Sequence, residues 1–491
     1  MTLGWIIAVA VFAALFVTYI VWRIVSRRGN AAGIVTGRGA RTSQIGGLVV
    51  NRVFRRIWLR LRQTVATRKR KDELQKQFHI ASATEAAAVL GNMKGVFMKL
   101  GQIVSFANDA MPPEAQEAMR ALQKDAPPMS FELVRGVVES QLGHDLGKTF
   151  KHFDEEPIAA ASIGQVHKAV LLDGQTVAVK VQYPGVDTAI ENDLKATDQL
   201  AFMINAVNKT ADMRAVVAEL RDRLLDELDY TKEARNQQLF GRLWAGHPLI
   251  RIPRVYPELS RKKILVQEFC RGFGFYDFLK ESKPAERQMA AYAIGDFVFD
   301  SMFRFLVYNG DPHPGNYLFH EDGAVTFLDF GCVKYFTPAF MIDLKRFFKS
   351  IIQNDRVVHE EYAHKIGLIL PGHQLSVEER DNMWEMWRYN LEPYSHDGEF
   401  VFSPEYIARA RIVMAPERAR RFNLPPDLIF FLRITFGLNS ISQKLGASGN
   451  FRKSARRYFF DGQQGPALSD LGVVLPAQFM ESSVLPETQP A

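Results

Sequence analysis

Residues 311–331 decide the fold of this chain, and they read DPHPGNYLFHEDGAVTFLDFG. The stretch opens with D-x-x-x-x-N, which ends at Asn316, and closes with D-F-G, which begins at Asp329. Two short apolar runs lie between these motifs and flank Asp322-Gly323, a turn signal typical of a β-hairpin. The hairpin is predicted to return Asn316 and Asp329 to one edge of the structure. After Gly331 the pattern is helical, with a predicted capping box at Ser376 and Glu379.

A second hairpin is predicted upstream. Residues 165–172 and 176–182 have the composition of strands and are joined by Asp173-Gly174. Valines alternate along the second strand, so Lys180 lies on the face opposite them, where it can point at a ligand. A strand lysine, then D-x-x-x-x-N, then D-F-G, is the constellation that holds ATP and two magnesium ions in kinases.

Phosphoryl transfer needs charge neutralisation and positioning, and these residue types supply both. Lys180 is predicted to bind the α- and β-phosphates, and Asp329 to chelate Mg²⁺. Asn316 completes a second Mg²⁺ site through its amide oxygen. Asp311 is placed to orient or deprotonate the attacking hydroxyl or water. The lysine needs a carboxylate partner, for which Glu227 is the best candidate.

The N-terminus predicts a membrane anchor. Residues 3–22 are uncharged and long enough for a helix to cross a bilayer core, which takes about 20 residues. Arg23, Arg27 and Arg28 follow, so the rest of the chain is expected in the cytoplasm, beneath the cell (inner) membrane. A cleaved signal peptide and a buried core helix are the alternatives. No positively charged residues precede the apolar run, as a signal peptide requires, and the arginines that follow it disfavour a buried helix.

Two helical segments follow the anchor. Residues 51–72 combine dense arginine and lysine with one apolar face, which favours either contact with anionic lipid or a solvated helix docked on the domain. Residues 82–125 have helical periodicity, with Lys99 and Gln102 on one face and Gly101 between them. The glycine lowers helix propensity and therefore indicates close packing.

Composition excludes several classes. Apolar residues make up 47% of the 491-residue chain, which indicates a folded protein rather than a disordered one. Cys270 and Cys332 are the only cysteines and are far apart, so neither a disulfide framework nor a zinc site is expected. The net charge of +7 lies largely in residues 51–72, and no nucleic-acid partner is predicted.

These residues resemble the UbiB/ADCK group of atypical kinases, which is associated with ubiquinone and other isoprenoid lipids. The resemblance rests on K-x-G-Q at 99–102, on AAASIGQVH at 159–167, on E-x-D at 227–229 and on the two loops in 311–331. An alanine-rich segment replaces the kinase glycine-rich loop. Because alanine restricts positive-φ conformations, nucleotide placement should differ, and Ala159→Gly is predicted to change nucleotide preference.

The resemblance implies a kinase-like, two-lobed α+β fold with an N-terminal helical extension, to which the hydropathy of residues 3–22 adds an N-terminal transmembrane helix. The expected segments are a membrane anchor at 1–28, a linker at 29–50, the basic helix and K-x-G-Q extension at 51–150, an N-lobe at 151–275, a C-lobe at 276–460 and a tail at 461–491. The implied nucleotide-binding residues are Ala159, Ala160, Ala161, Ser162, Ile163, Gly164, Lys180 and Glu268. The implied catalytic residues are Asp311, Lys180, Glu227, Lys99 and Gln102.

The implied function is ATP or ADP binding with Mg²⁺, coupled to ATPase activity or lipid-linked phosphotransfer at the membrane. Anionic and isoprenoid lipids and quinone-biosynthesis enzymes are the expected partners. An aminoglycoside-kinase-type phosphotransferase and a nucleotide-binding scaffold without turnover are the alternatives. The chain departs from the family at Asn309, where histidine is usual, and in carrying its hydrophobic helix at the N-terminus rather than the C-terminus.

Overall fold

The computed structural model describes residues 129–161, 163–188, 190–191, 218, 221–222, 224–310, 313–413, 423 and 425–460. The predicted anchor, linker, basic helix, K-x-G-Q helix and C-terminal tail lie outside these ranges and stay predictions. None of the helices within the described ranges combines the length and apolar character needed to cross a bilayer.

The described residues fall into two compact units. The smaller contains residues 129–130, 160–165 and 182–191 apart from the undescribed positions, and the larger contains the remainder. Within the smaller unit, the Gln165 side chain bonds both main-chain groups of Met129, at 2.8 Å from its nitrogen and 3.2 Å from its oxygen. The larger unit carries the sites discussed below. The predicted lobe boundary at residue 275 stays a prediction.

A five-stranded sheet contains the predicted upstream hairpin. Its strands are β1 (Phe150–Phe153), β2 (Ala159–Ala161), β3 (Gly164–Leu171), β4 (Thr176–Gln182) and β6 (Ile264–Glu268), in the order β1-β3-β4-β6 with β2 beside β3. The turn between β3 and β4 is confirmed at Asp173-Gly174. Gly174 has φ +88°, and the Asp173 carboxylate accepts a hydrogen bond from Gln175 N at 2.9 Å.

Two helices accompany this sheet. Helix α1 spans Phe131–Leu142, and helix α2 spans Tyr230–Leu243 and packs against β6. Helix α2 begins at Tyr230 because the Asp229 side chain accepts a hydrogen bond from Thr231 N at 3.0 Å, which satisfies a free donor of the first turn. The first turn of α2 carries Tyr230 and Glu233, which are both buried, and Lys232, which is exposed.

The second predicted hairpin is also confirmed. Strands β8 (Tyr317–Phe319) and β9 (Val325–Phe327) pair antiparallel, with Tyr317 opposite Phe327 and a turn at Gly323, whose φ is +77°. Strand β5 (Ile250–Arg251) lies parallel to β9. The helices before this hairpin are α3 (Phe275–Glu281) and α4 (Pro284–Phe303), followed by β7 (Val307–Asn309) and a 3₁₀ turn at Pro314–Asn316.

The prediction that helix follows Gly331 directly was wrong. Strand β10, Val333–Tyr335, comes first and pairs antiparallel with β7. Its β-branched and aromatic residues suit a strand, and β7 provides the edge against which it pairs. The D-F-G segment is therefore held between two strands rather than at the start of a helix.

The C-terminal part is helical, as predicted. It contains α5 (Pro338–Ile352), α6 (Arg356–Lys365), α7 (Val377–Ser395), α8 (Pro404–Val413), α9 (Pro426–Leu445) and α10 (Phe451–Phe459), with a small sheet of β11 (Phe400–Val401) and β12 (Ser448–Gly449). The capping box at Ser376 and Glu379 is confirmed. An aromatic core joins α2, α4 and the D-F-G segment to these helices, with Phe330 fully buried within it.

Candidate nucleotide-binding site

Lys180 projects from β4 into a cluster of carboxylates. Its ammonium nitrogen lies 2.8 Å and 3.0 Å from the two carboxylate oxygens of Glu233, and 3.3 Å from Oδ2 of Asp329. It also lies 5.1 Å from the centre of the Tyr230 ring, within range of a cation–π interaction. The lysine is 9% exposed and Glu233 is 2% exposed, so this ion pair is shielded from water.

The carboxylate that pairs with Lys180 is Glu233, so the prediction of Glu227 was wrong. Asp229 caps helix α2, which therefore begins at Tyr230. This start places Glu233 in the first turn, facing Lys180. Glu227 lies in the turn before the helix and is itself buried. A side-chain carbon built on Gly331 would lie 3.6 Å from Glu227 Cγ, so Glu227 is near the site, and its catalytic role stays a prediction.

The electrostatics favour a charged lysine. Burial alone lowers the pKa of Lys180, but the carboxylates of Asp329 and Glu233 outweigh burial and hold that pKa well above its usual value. Burial raises the pKa of Glu233 to about 7 against the pull of Lys180, and the negative charges of Asp329 and Glu227 add to the rise. The site thus holds a permanent cation beside a carboxyl group that titrates near neutrality.

Asp329 is fixed by both of its carboxylate oxygens. Oδ1 accepts a hydrogen bond from Gly331 N at 2.9 Å, and Oδ2 faces Lys180. A side-chain carbon at Gly331 would lie only 3.3 Å from Asp329 Oδ1 and 3.5 Å from Glu233 Oε2, so glycine leaves room for these acids. Phe330 anchors the loop in the core, where its ring centre lies 5.0 Å from that of Phe240.

Asn316 lies beside Asp329, as the sequence predicted. The Asn316 carbonyl accepts a hydrogen bond from Leu328 N at 2.9 Å, one residue before Asp329. His313 bonds locally, since its Nδ1 accepts from Gly315 N at 3.1 Å. Asn309, which occupies the family's usual histidine position, donates from Nδ2 to the Asp329 carbonyl at 2.7 Å. The departure from the family pattern therefore still provides a hydrogen-bond donor to this loop.

The other residues predicted to bind the nucleotide are not shown to contact the Lys180 cluster. Ala159–Ala161 form the extended strand β2 and are largely exposed, whereas Ile163 and Gly164 are buried. Glu268 pairs with Val177 on the valine face of β4, opposite Lys180, and its carboxylate accepts from Arg254 N at 3.1 Å. The Glu268 side chain therefore does not join the cluster. The predicted residues outside the described ranges are Lys99, Gln102, Ser162 and Asp311.

The donor set fits Mg²⁺ carried with a nucleotide. In the part of the chain that the structure describes, no three His, Cys, Asp or Glu side chains are arranged to hold a metal alone. Mg²⁺ typically binds through one or two carboxylates while phosphates and water complete its shell. The Asp329 side chain is 24% exposed and is the carboxylate that would hold such an ion, with Asn316 as the second predicted ligand.

Sequence reasoning missed two residues that complete the site. Glu233 pairs with Lys180, and Asn236, one turn later on α2, donates from Nδ2 to the Phe330 carbonyl at 3.0 Å. The available signal was the capping aspartate at 229 followed by a glutamate in the first helical turn. That pattern fixes where the helix starts, and hence which acid faces the sheet.

The comparisons with known proteins agree with this geometry. The family model described as "ABC1 atypical kinase-like domain" matches residues 121–363. AarF domain-containing protein kinase 1 of Xenopus laevis is 29% identical over 63% of this chain and 60% of its own length. The chloroplastic Protein ACTIVITY OF BC1 COMPLEX KINASE 7 of Arabidopsis thaliana is 30% identical over 74% of this chain and 52% of its own. The chain thus spans 60% or less of these relatives.

A solved structure extends the match. Rv3197 from Mycobacterium tuberculosis, determined in complex with erythromycin, is 32% identical and superposes with a TM-score of 0.58, over 81% of this chain and 100% of that one. The kinase-like mixture of strands and helices agrees with these matches. This chain belongs to the ABC1 family of atypical kinases, the UbiB/ADCK group.

Proposed function

We propose that this protein binds Mg-ATP and acts as an atypical kinase or ATPase at a membrane, in support of ubiquinone or other isoprenoid-lipid biosynthesis. The observation that carries the proposal is the buried contact of Lys180 with Glu233 and Asp329. A charged lysine and a metal-binding carboxylate within 3.3 Å of each other suit a triphosphate and its Mg²⁺.

Each residue has a distinct part in this proposal. Lys180 neutralises the phosphates, and Glu233 holds the ammonium group in place. Asp329 and Asn316 would hold Mg²⁺, and the ion would supply charge neutralisation to the phosphates. Asp311 orients the attacking hydroxyl or water, a role that rests on its spacing from Asn316 alone.

The membrane part of the proposal rests on the sequence and the family. The apolar residues 3–22 and the arginines after them support a single-pass anchor with the kinase domain in the cytoplasm. The basic helix at 51–72 supports contact with anionic lipid, and the family's association with isoprenoid lipids supports the substrate class. The acceptor is a lipid-linked hydroxyl or water.

Phosphate release from Mg-ATP by the full-length protein tests the proposal. It is measured in detergent, with anionic liposomes, and with phenolic quinone precursors. Asp329→Asn removes the predicted metal ligand. Asp427→Asn is a matched control because Asp427, on helix α9, also pairs with a buried lysine, Lys334, at 2.6 Å.

The expected result is release that increases with lipid, is lost in Asp329→Asn and persists in Asp427→Asn. Nucleotide binding without release in the unmodified protein would overturn the catalytic proposal in favour of a nucleotide-binding scaffold. The aminoglycoside-kinase alternative is not retained, because the comparisons place the chain in the ABC1 family.

A further inference from the structure

Side-chain and main-chain donors hold the backbone of the D-F-G loop. The Asp329 carbonyl accepts from Asn309 Nδ2 at 2.7 Å, and the Phe330 carbonyl accepts from Asn236 Nδ2 at 3.0 Å. The Cys332 carbonyl accepts from Gly310 N at 2.6 Å. Donors from α2 on one side and from the β7 end on the other therefore fix the loop that presents Asp329.

The amide of Asn236 is itself oriented. The Tyr335 hydroxyl donates to Asn236 Oδ1 at 2.9 Å, which leaves the Nδ2 group facing the Phe330 carbonyl. Asparagine suits this position because its amide accepts from one partner and donates to another. Aspartate accepts equally well from Tyr335 but, when ionised, has no hydrogen to donate to the carbonyl.

Helix α2 links this bond to the lysine pair. Glu233 and Asn236 are three residues apart, so they lie on neighbouring parts of one helix face. One residue bonds Lys180, and the other bonds the backbone next to Asp329. A single rigid helix thereby sets the position of both the cation and the loop that carries the carboxylate.

We propose that Asn236, oriented by Tyr335, is a positioning residue that aims the Asp329 carboxylate at the metal ion, with Asn309 acting from the opposite side. The inference rests on the proposed function, because it assumes that Asp329 binds Mg²⁺ with a nucleotide. Burial of the Phe330 ring already anchors the loop, so Asn236 is not needed merely to keep the segment in the core. Asn236 instead fixes the orientation of the Asp329 side chain, which precedes Phe330.

The test compares Asn236→Leu and Asn236→Asp with a matched control, Asn390→Leu. Asn390 is buried, whereas Asn236 is half-buried, and Asn390 Nδ2 likewise donates to a main-chain carbonyl, that of Met386 at 2.8 Å, in helix α7. The first readout is binding of a fluorescent ADP analogue to the full-length protein as Mg²⁺ is titrated. The second is amide hydrogen exchange at Gly331 without metal or nucleotide.

Both Asn236 variants are expected to need about ten- to a hundredfold more Mg²⁺ for half-maximal binding, because residues that orient a metal ligand have effects of this size. Affinity without Mg²⁺ should be unchanged, which a general folding defect does not produce. The Gly331 amide, bonded to Asp329 Oδ1, should exchange several times faster. Asn309→His, which keeps a donor, should stay within a few-fold of the parent.

An unchanged Mg²⁺ requirement in both Asn236 variants, or equal changes in Asn390→Leu, would overturn the inference while leaving the proposed function intact. If the unmodified protein binds no nucleotide, the proposed function fails. The exchange readout then decides the positioning role alone: unaltered exchange at Gly331 in Asn236→Leu overturns it, and faster exchange supports it.

Discussion

Two buried titratable side chains, Lys180 and His359, differ in their partners and in their charge. Lys180 lies within hydrogen-bonding range of Glu233 and Asp329, and these charges keep its pKa well above the usual value although burial acts in the other direction. A charged group in a low-dielectric interior is stable only with such partners. Glu233 and Asp329 are these partners for Lys180, the cation that the proposed function assigns to the phosphates.

His359 lies in the C-terminal helices and is 3% exposed. Neither ring nitrogen has a hydrogen-bond partner among the described residues. Its ring stacks on Phe347 at 4.5 Å between centres and meets the edge of Trp384 at 4.9 Å. Burial, with a smaller effect of the Arg356 charge, lowers its pKa to about 3, so it packs as a neutral ring. Burial alone therefore does not distinguish the two side chains; Lys180 has carboxylate partners, whereas the His359 ring has no hydrogen-bond partner among the described residues.

Replacement of Lys180 should have the largest effect. Lys180→Met is expected to reduce ATP turnover about a hundred- to a thousandfold, since it removes a preorganised cation from the phosphates. Lys334→Met is the control because it breaks another buried lysine–carboxylate pair, with Asp427. Phosphate release and nucleotide binding are measured for both variants. Equal losses in the two would show that the effect comes from folding rather than from the site.

Glu233 should make stability depend on pH. Its pKa of about 7 in the folded protein lies above the ordinary value of 4.5, so the folded state binds more protons between these values. The stabilisation is complete below pH 4.5 and is lost as pH rises through 7, at most about 3 kcal/mol. Urea unfolding of the parent and of Glu233→Gln should therefore diverge from pH 5 to pH 8, with the parent losing more stability.

Glu227→Gln is the companion variant, because Glu227 is equally buried but does not pair with Lys180. It should leave most of this pH dependence in place. A pH dependence that disappears in Glu227→Gln and persists in Glu233→Gln would restore the pairing predicted from the sequence.

The sequence predicted well the parts of the site set by local patterns. Both hairpins follow from turn residues between alternating strands, and the return of Asn316 to Asp329 follows from hairpin geometry. The placement of Lys180 opposite the valine face follows from the two-residue period of a strand. Each of these inferences uses residues that are close in the chain.

The parts that failed depend on contacts between distant segments. Lys180 and Glu233 are separated by 53 residues, and the choice between Glu227 and Glu233 depends on where helix α2 begins. Strand β10 exists because β7 offers an edge, which no local pattern reveals. The register of β4 with β6, which places the Glu268 side chain on the face opposite Lys180, is likewise a tertiary property, and the predicted nucleotide-binding role of Glu268 stays a prediction.

Removal of the His359 ring nitrogens should stabilise the protein. His359→Phe keeps the stacking on Phe347 and deletes two unsatisfied polar atoms, so the free energy of unfolding should rise by about 1–2 kcal/mol at pH 7. The stability difference between variant and parent should also widen as pH falls from 6.5 towards 3, because in the parent only the unfolded histidine takes up a proton there. His320→Phe is the control, since His320 bonds Thr326 at 2.8 Å, and it should destabilise. Destabilisation by both changes would indicate that His359 has a partner in solution.

Replacement of Tyr230 should have the smallest effect on stability. It distinguishes the contribution of the Tyr230 ring to the site from that of its hydroxyl. Its hydroxyl is buried without a partner among the described residues, while its ring lies beneath the Lys180 ammonium. Tyr230→Phe should therefore raise stability by about 1 kcal/mol and leave nucleotide affinity unchanged, because the aromatic face remains. In Tyr256→Phe, by contrast, a hydroxyl that donates to Gln175 at 2.7 Å is lost, so thermal unfolding should show the opposite sign. A fall in nucleotide affinity in Tyr230→Phe would mean that the buried hydroxyl contacts the bound nucleotide. Tyr230 would then bind the nucleotide through its hydroxyl, as Lys180 is proposed to do through its ammonium group.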